Sequence, residues 1–239
     1  MGVNLFVHAI RLVLNNLQAA LRISALLYFV PAIVAYALLS GADPAAPPSP
    51  LAVLVSIIAF IGSLAIAVAW HRFILLDEQP SGWLPAFDGR RLLSYFGYSL
   101  LLGLIAFVIM FAVAAVLGIF AVLGGPILFI LTTFVTVFIV LVIGFRLALI
   151  LPASSVDKRL GLGEAWAATR GATGDIVVLA LLGAGASVVL GLVSLIFMGP
   201  LSPLGILWDA AAGWLSLMVG LSILTTLYGH YIEGRPISD

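Results

Sequence analysis

Cysteine is absent from this chain of 239 residues, and charged residues make up only 8% of it. The lack of cysteine excludes disulfides, thiolate metal sites and cysteine nucleophiles, and it leaves the redox compartment undetermined. Ten basic and ten acidic residues give no net charge, so the charge balance does not favour binding to nucleic acid. Apolar residues instead reach 64%, with a mean hydropathy of +1.29. This composition is typical of an integral membrane protein.

The apolar runs predict an all-α polytopic membrane protein, with six transmembrane helices in three hairpins plus short cytoplasmic amphipathic helices. A span needs about 20 apolar residues, so six spans and their connections fill residues 1–239 as a single integral membrane domain. Residues 92–145 carry no charge and are too long for one span, which predicts a turn at Gly124-Gly125-Pro126. The predicted spans are residues 23–40, 51–76, 92–118, 127–151, 176–198 and 208–230.

Basic residues set the orientation of these spans, because Lys and Arg are retained on the cytoplasmic side. The three loops on the opposite side, near residues 41–50, 119–126 and 198–208, contain none. We therefore expect a multi-pass protein of the bacterial cytoplasmic (inner) membrane with both termini in the cytoplasm. The ten basic residues, all on the cytoplasmic side of this topology, are Arg11, Arg22, Arg72, Arg90, Arg91, Arg146, Lys158, Arg159, Arg170 and Arg235.

Residues 4–22 carry one narrow polar stripe, which predicts an amphipathic helix. Such a helix lies in the cytoplasmic membrane interface with its stripe among the headgroups, or packs under the bundle with its stripe facing a polar vestibule. The first arrangement is the more common. The scattered polar residues do not fit a cleavable signal peptide. The stripe consists of Asn4, His8, Arg11, Asn15, Gln18 and Arg22.

A threefold repeat runs along the chain. Each unit has a short amphipathic cytoplasmic helix, an outward span, an outer turn containing proline, and an inward span. The pattern is compatible with three hairpins around a pseudo-threefold axis. No P-x-[DE]-x-x-[KR] motif closes the odd spans, so a mitochondrial carrier is not indicated. The recurring residues are Arg11, Arg91 and Arg170, spaced by 80 and 79 residues, and Pro47, Pro126 and Pro203, spaced by 79 and 77.

Two arginines, Arg72 and Arg146, lie inside inward spans about one turn from the cytoplasmic end. There a long side chain reaches the headgroups and avoids most of the cost of about 2.5–3.5 kcal/mol that arginine has at a span centre. The simplest interpretation is snorkelling, or pairing with Asp77, Asp157 or a lipid phosphate. The alternative hypothesis is that both converge on an anionic ligand or headgroup, which the guanidinium fork binds well. Arg170 is the third candidate lipid or anion contact.

Residues that carry out chemistry are few. His8, His71 and His230 fall at the cytoplasmic face but match no metal-ligand spacing, so helix-terminal hydrogen bonding is the favoured interpretation and no metal or cofactor is predicted. No HExxH, G-x-S-x-G, Walker A or strand-associated G-x-G-x-x-G motif occurs. No acid lies deep within a span, which argues against a proton-coupled pump. We predict that the chain is not an enzyme.

Small residues at four-residue spacing predict helix-packing seams, because they let two backbones approach closely. A seam that faces outward would instead be a docking face for another membrane protein. The predicted seam residues are Ala59, Ser63 and Ala67 on the second span, Gly183, Ser187 and Gly191 on the fifth, and Ala212, Ser216 and Gly220 on the sixth.

The stretch from Arg146 to Pro152, followed by Asp157 and Glu164–Gly171, resembles the signature of the membrane domain found in some glycerophosphoryl diester phosphodiesterases and in YciC-like bacterial proteins. The resemblance covers residues 140–180 by motif and the whole chain by layout. It implies six helices with both ends inside. It implies no phosphodiesterase activity, because in that family the chemistry belongs to a separate soluble domain. The matching positions are Arg146, Pro152, Glu164, Thr169, Arg170 and Gly171.

These patterns favour a non-enzymatic integral membrane protein that acts as an accessory, assembly or lipid-organising module. Its expected partners are membrane lipids and, in one interpretation, another integral membrane protein, but not nucleic acid. The alternative is a transporter or channel for a small apolar or amphiphilic substrate, which the repeat and the glycine-rich turns favour. A membrane-embedded hydrolase or transferase rests only on the three histidines and the family's association with lipid.

Overall fold

The structure, a computed structural model, describes residues 1–39, 46–198 and 202–237. Most of these residues are helical, and no strand occurs among them. A 3₁₀ turn precedes α8 and a π-helical turn follows it. The helices are α1 (Gly2–Asn15), α2 (Leu17–Leu39), α3 (Pro50–Leu76), α4 (Gly89–Leu123), α5 (Gly125–Leu147), α6 (Ile150–Ser155), α7 (Leu162–Ala168), α8 (Thr173–Val193) and α9 (Pro203–Tyr231).

Within the described residues six helical segments are long and apolar enough to cross a membrane, which confirms the all-α polytopic fold. The predicted turn in the uncharged run is also confirmed. It lies between α4 and α5, where Gly125 adopts a φ of 72°, a left-handed value that favours glycine. The predicted outer loops near residues 41–50 and 198–208 fall partly outside the described residues. The six segments are Leu17–Leu38, Pro50–Leu76, Gly89–Gly118, Gly125–Ser155, Arg170–Ile196 and Pro203–Tyr231.

The predicted amphipathic helix over residues 4–22 is wrong in its extent. The helix breaks at Asn16, and the first span begins at Leu17 instead of residue 23. Asn16 adopts a φ of −116° and a ψ of 29°, and its Nδ2 donates a hydrogen bond to the Leu12 carbonyl oxygen at 2.8 Å. An asparagine side chain that bonds the backbone in this way competes with helix propagation. Gln18 and Arg22 therefore belong to the first span.

The N-terminal helix α1 packs against both α8 and α9. Leu5, Ala9 and Val13 form its buried face at helical spacing. Asn4 and Arg11, on the polar stripe, are exposed. The helix therefore packs on the bundle, which is the less common of the two predicted arrangements, but most of its polar stripe faces away from the other helices.

The second repeat unit lacks its predicted amphipathic helix. Residues 77–88, between α3 and α4, are not helical. Pro80 and Pro85 each remove a backbone donor, and Gly82 favours non-helical backbone, so this segment has little helix propensity. Only the first and third units, with α1 and α7, carry a helix before the outward span.

The three inward helices meet at one end of the bundle, which we name the cytoplasmic end from the distribution of basic residues. Each of them is followed by a residue with left-handed backbone. These residues are Asp77 (φ 55°), Asp157 (φ 59°) and Gly234 (φ 69°), spaced by 80 and 77 residues. The spacing matches the threefold repeat predicted from the sequence. The three inward helices are thus followed by left-handed residues at equivalent positions of the repeat.

Side chains link these three ends in a closed ring. Arg72 on α3 donates to the Ser155 carbonyl oxygen at the end of α6 at 3.0 Å. Lys158, just after α6, donates to Glu233 beyond α9 at 2.8 Å. This hydrogen bond raises the pKa of Lys158. Arg235 completes the ring, because its Nη2 donates to the Leu75 carbonyl oxygen near the end of α3 at 2.7 Å.

Deeper in the bundle, aromatic N–H groups bind hydroxyls on neighbouring helices. Trp70 Nε1 donates to Ser222 Oγ at 2.9 Å, and Trp214 Nε1 donates to Ser24 Oγ at 2.7 Å. Each serine in turn donates to the carbonyl oxygen four residues before it. All four side chains are buried, so these bonds tie α9 to α3 and to α2.

We expect the Ser222→Ala variant to lower the free energy of unfolding by about 1–3 kcal/mol, because it leaves the buried Trp70 N–H without an acceptor. Equilibrium unfolding in detergent measures the change. Ser56→Ala is the matched control, since Ser56 is an exposed serine that bonds only its own helix. Equal losses in the two variants would show that the Trp70 bond contributes nothing of its own.

The natural absence of cysteine makes the predicted sidedness directly testable. Ser81 and Pro48 are exposed residues beyond opposite ends of α3. We expect a membrane-impermeant maleimide to label Pro48→Cys in intact cells and Ser81→Cys only after permeabilisation. The reverse pattern would mean that the basic residues lie outside.

Candidate functional site

The third hairpin is splayed into a V, whereas the first two are packed along their length. α2 packs directly on α3, and α4 on α5. Near the outer end, α8 and α9 are joined by a 3.2 Å hydrogen bond from Trp208 Nε1 to the Leu190 carbonyl oxygen and by one of 2.6 Å from Ser194 Oγ to Asp209. Towards the cytoplasmic end, α1 contacts both helices and occupies the space between them.

The opening of this V forms an apolar groove of about 540 Å³, which we call the lateral groove. Its walls lie within residues 180–190 of α8 and 215–223 of α9. Leu141 and Phe145 of α5 line it from a third side, and Phe6 and Ile10 of α1 line it towards the cytoplasmic end. The groove is not sealed, because Ser187 and Ser216 in its walls are exposed.

Four of the predicted seam residues line this groove: Gly183 and Ser187 on α8, and Ser216 and Gly220 on α9. A Cβ atom added at Gly183 or Gly220 would meet no atom within 4 Å. The same is true of Gly191, which is exposed. The prediction that these glycines mark close helix contact is therefore wrong. Helix α1 contacts both α8 and α9 and separates them. The small side chains in the walls do not fill the space that this leaves.

The other predicted seam residues have mixed positions. Ala67 is buried, while Ala59, Ser63 and Ala212 are half-buried. The close approach on α3 falls beside this series, at Gly62. A Cβ atom there would lie 3.2 Å from the Leu27 carbonyl oxygen of α2. This contact is one residue, or about 100° of helix rotation, away from Ser63, so the predicted series does not mark the closest approach on α3.

Arg146 is 6% exposed, at the end of α5. Its Nη2 donates a hydrogen bond to the Thr173 hydroxyl at the start of α8. Its guanidinium carbon lies 4.5 Å from the centre of the Trp166 ring of α7. Within the described part of the chain no carboxylate lies within 4.0 Å of it. Arg146 is thus a buried cation with neutral neighbours.

Arg72, in contrast, is paired with acids of the same chain. Its Nε donates to Glu78 at 2.6 Å, and its Nη1 lies 3.4 Å from Asp157. Arg91 also pairs with Asp157, at 3.0 Å, and with Asp88 at 3.1 Å. A hydrogen bond from the Arg91 backbone N–H lowers the pKa of Asp88. The sequence offered pairing or an anionic ligand for Arg72, and the structure favours pairing.

Arg72 and Arg146 have no partner in common, so the structure does not bring the two predicted arginines together on one ligand. Arg170, the third predicted residue, is exposed, and its carbonyl oxygen accepts from the Thr173 hydroxyl at 3.3 Å. It lies next to the Arg146 contact rather than to Arg72. Trp166 was not predicted as a partner of Arg146, because no spacing rule relates residues on two separate helices.

His71 lies apart from the other two histidines. His71 is buried, with Nδ1 2.7 Å from the Thr225 hydroxyl and Nε2 3.3 Å from Tyr95 Oη. Since the Thr225 hydroxyl donates to the Leu221 carbonyl oxygen, His71 Nδ1 is the donor of the first bond. His8 and His230 line a cavity of about 200 Å³ at the cytoplasmic end.

Among the residues described by the structure, no three His, Cys, Asp or Glu side chains form a group that could hold a metal ion.

Asp157 accepts hydrogen bonds from both Arg72 and Arg91 and so joins the two arginines. We expect Asp157→Asn to lower the free energy of unfolding by about 1 kcal/mol, because both ion pairs are partly exposed. Asp77→Asn is the matched control: Asp77 has the same left-handed backbone, which Asn tolerates, and its carboxylate accepts only from Gln79. Thermal or denaturant unfolding compares the two, and a larger loss in the control would refute the central role of Asp157.

We found no family model, no curated protein and no solved structure that matches this chain. The resemblance noted for residues 140–180 therefore stays a prediction, and the function has to be argued from the geometry of the lateral groove and of Arg146.

Proposed function

We propose that the protein is a non-enzymatic, lipid-organising module of the bacterial cytoplasmic membrane, and that the lateral groove holds one acyl chain of a membrane lipid. The groove is the observation that carries this proposal. It is apolar, and it has exposed wall residues in helices that are long enough to cross a membrane. In a bilayer the molecules that surround such residues are lipids, so an acyl chain is the occupant that needs no further assumption.

The length of the groove supports an acyl chain of a single leaflet. Its α8 wall runs from Ala180 to Leu190, which is about 15 Å at a rise of 1.5 Å per residue. The hydrocarbon core of a bilayer is about 30 Å thick. The groove is therefore as long as the acyl region of one leaflet, and its lining by Phe6 and Ile10 of α1 and Phe145 of α5 places one end of it towards the cytoplasmic end of the bundle.

The small wall residues support the same function. Glycine and serine at four positions in the walls expose backbone and leave a smooth channel, whereas leucine or phenylalanine there would fill it. The partner in this proposal is a membrane lipid. An accessory role beside another integral membrane protein uses the same exposed surface and would add a partner without changing the groove.

A transporter for a small amphiphilic substrate is the alternative function. The observation that favours it is the position of α1, which separates α8 from α9 and lines the cytoplasmic end of the groove. A helix in this position would control access from the cytoplasm. Flux of the substrate in proteoliposomes, abolished by Gly183→Leu, would support the transporter.

We expect Gly183→Leu to reduce the lipid retained by the purified protein by about tenfold, the effect of losing about 1.4 kcal/mol of contact. The leucine side chain would extend from a position where Cβ meets nothing within 4 Å into the groove. Native mass spectrometry of protein extracted in mild detergent counts the retained lipids.

Gly185→Leu is the matched control for this experiment. Gly185 lies on the same helix, is exposed, and also has nothing within 4 Å of a Cβ atom, but it does not line the groove. The control should retain lipid like the unmodified protein. If Gly183→Leu retains as much lipid as Gly185→Leu, the groove is not the lipid site.

A further inference from the structure

We infer that Arg146, held by Trp166 and Thr173, forms a binding site for a phosphate-bearing anion at the cytoplasmic end of the lateral groove. This inference deepens the proposed function and rests on it where the phosphate belongs to the lipid whose chain lies in the groove. Arg72, which the sequence also put forward, is not part of the site.

The charge of Arg146 is the first argument. A guanidinium stays protonated at any physiological pH, and a buried charge without a counter-charge is costly. The contacts of Arg146 are a hydroxyl and an indole ring, both neutral. Four other cations that join segments at this end each have a carboxylate within 4.0 Å: Arg72, Arg91, Lys158 and Arg235. Arg146 alone among these five lacks one in the described residues, and a bound anion would supply the missing counter-charge.

Nearby acids are already engaged elsewhere. The Asp175 carboxylate accepts from the Gly2 backbone N–H at 2.8 Å and lies 3.5 Å from the amino terminus, so it faces α1. The Glu164 carboxylate accepts from the Gly161 backbone N–H at 2.7 Å. Arg170, one residue beyond the end of this short helix and its cap, adds a second positive charge at the surface. The local field therefore favours an anion.

The geometry of the guanidinium is the second argument. The guanidinium lies over the Trp166 ring, and one of its nitrogens, Nη2, donates to the Thr173 hydroxyl. Arginine has five N–H donors in the guanidinium plane. Within the described residues one Arg146 nitrogen donates to the chain, so other donors are left for phosphate oxygens, which a guanidinium binds in bidentate fashion. The same two contacts fix the orientation of the side chain before the anion binds.

The depth of the site is the third argument. Thr173 precedes Ala180, the first groove residue of α8, by seven residues, or about 10 Å along the helix. Arg146 directly follows Phe145, which lines the groove, so a lipid whose chain lies in the groove with its headgroup at the cytoplasmic end has its phosphate on the side of Arg146. Trp166 is 37% exposed, and tryptophan is enriched at this depth of the membrane.

The test uses the full-length protein reconstituted in nanodiscs of equal parts phosphatidylglycerol and phosphatidylcholine, followed by native mass spectrometry of the retained lipids. We expect the unmodified protein to retain phosphatidylglycerol over phosphatidylcholine by about tenfold, and Arg146→Gln to retain the two in the bulk ratio. Arg146→Lys should fall between them, because lysine keeps the charge but not the planar fork.

Arg159→Gln is the matched control, since Arg159 is an exposed arginine on the same face. An equal loss of preference in Arg146→Gln and Arg159→Gln would reduce the effect to general surface charge and overturn the inference. If Arg146→Gln does not fold, the unmodified protein still decides. Equal retention of both lipids together with no response to phosphate, as measured below, also overturns the inference.

A second measurement identifies the source of the phosphate. Inorganic phosphate is added to protein in nanodiscs of phosphatidylcholine alone, and the midpoint of thermal unfolding is followed. A rise that Arg146→Gln abolishes shows that the site takes free phosphate. If inorganic phosphate leaves the unfolding midpoint unchanged, and the midpoint rises only when phosphatidylglycerol replaces phosphatidylcholine, the site takes the lipid headgroup. Either result supports the anion site.

The proposed function and this inference fail in different ways. Gly183→Leu should lower the amount of both lipids, whereas Arg146→Gln should change only their ratio. Lipid retained without headgroup preference, together with no response to inorganic phosphate, contradicts the anion site and leaves the groove intact. No retained lipid in the unmodified protein contradicts the groove, and the response to inorganic phosphate then tests Arg146 by itself.

Discussion

The cytoplasmic ends of the three inward helices are the constraint on which the rest of the structure depends. The last carbonyl groups of a helix have no partner within it. Here Arg235 binds the carbonyl oxygens of Ile74 and Leu75, and Arg72 binds that of Ser155, so each arginine caps a helix of another repeat unit. Left-handed residues after each inward helix turn the chain into this ring. Because each unit caps or pairs with the next, the three hairpins are held at one end even where they separate towards the other side.

The outward helices are less constrained, and this difference explains the groove. α2 and α4 pack along their own inward partners, but α8 has α1 and α5 as its main neighbours below the outer turn. The Trp70 and Trp214 bonds tie α9 to α3 and α2, which draws α9 towards the centre and away from α8. The amino terminus and Gly2 then bind Asp175, so that α1 fills the cytoplasmic part of the gap. The apolar space that remains is the lateral groove.

Patterns that one segment determines were predictable from the sequence. The hairpin turn at Gly125 follows from an uncharged run that is too long for one span, and six spans follow from composition. The break at Asn16 was not predictable, because the polar stripe continues through it and the break depends on a side chain bonding Leu12. The groove was not predictable either. Glycine and serine at four-residue spacing fit a close contact and an open gap equally well. The gap depends on α1, which is distant in sequence and lies between α8 and α9. The partners of Arg146 lie on two later helices for the same reason.

The repeat and its exception together point to the site. In two of the hairpins the outward and inward helices pack directly on each other. In the third, Gly183 and Gly220 face open space, and its first helices bind Arg146, a buried arginine for which the described residues provide no carboxylate within 4.0 Å. Both departures cost stability in a bundle that could have closed. Departures from locally consistent packing are expected where a protein has a function to perform. A lipid would offset both at once, since its chain fills the gap between α8 and α9 and its phosphate neutralises Arg146.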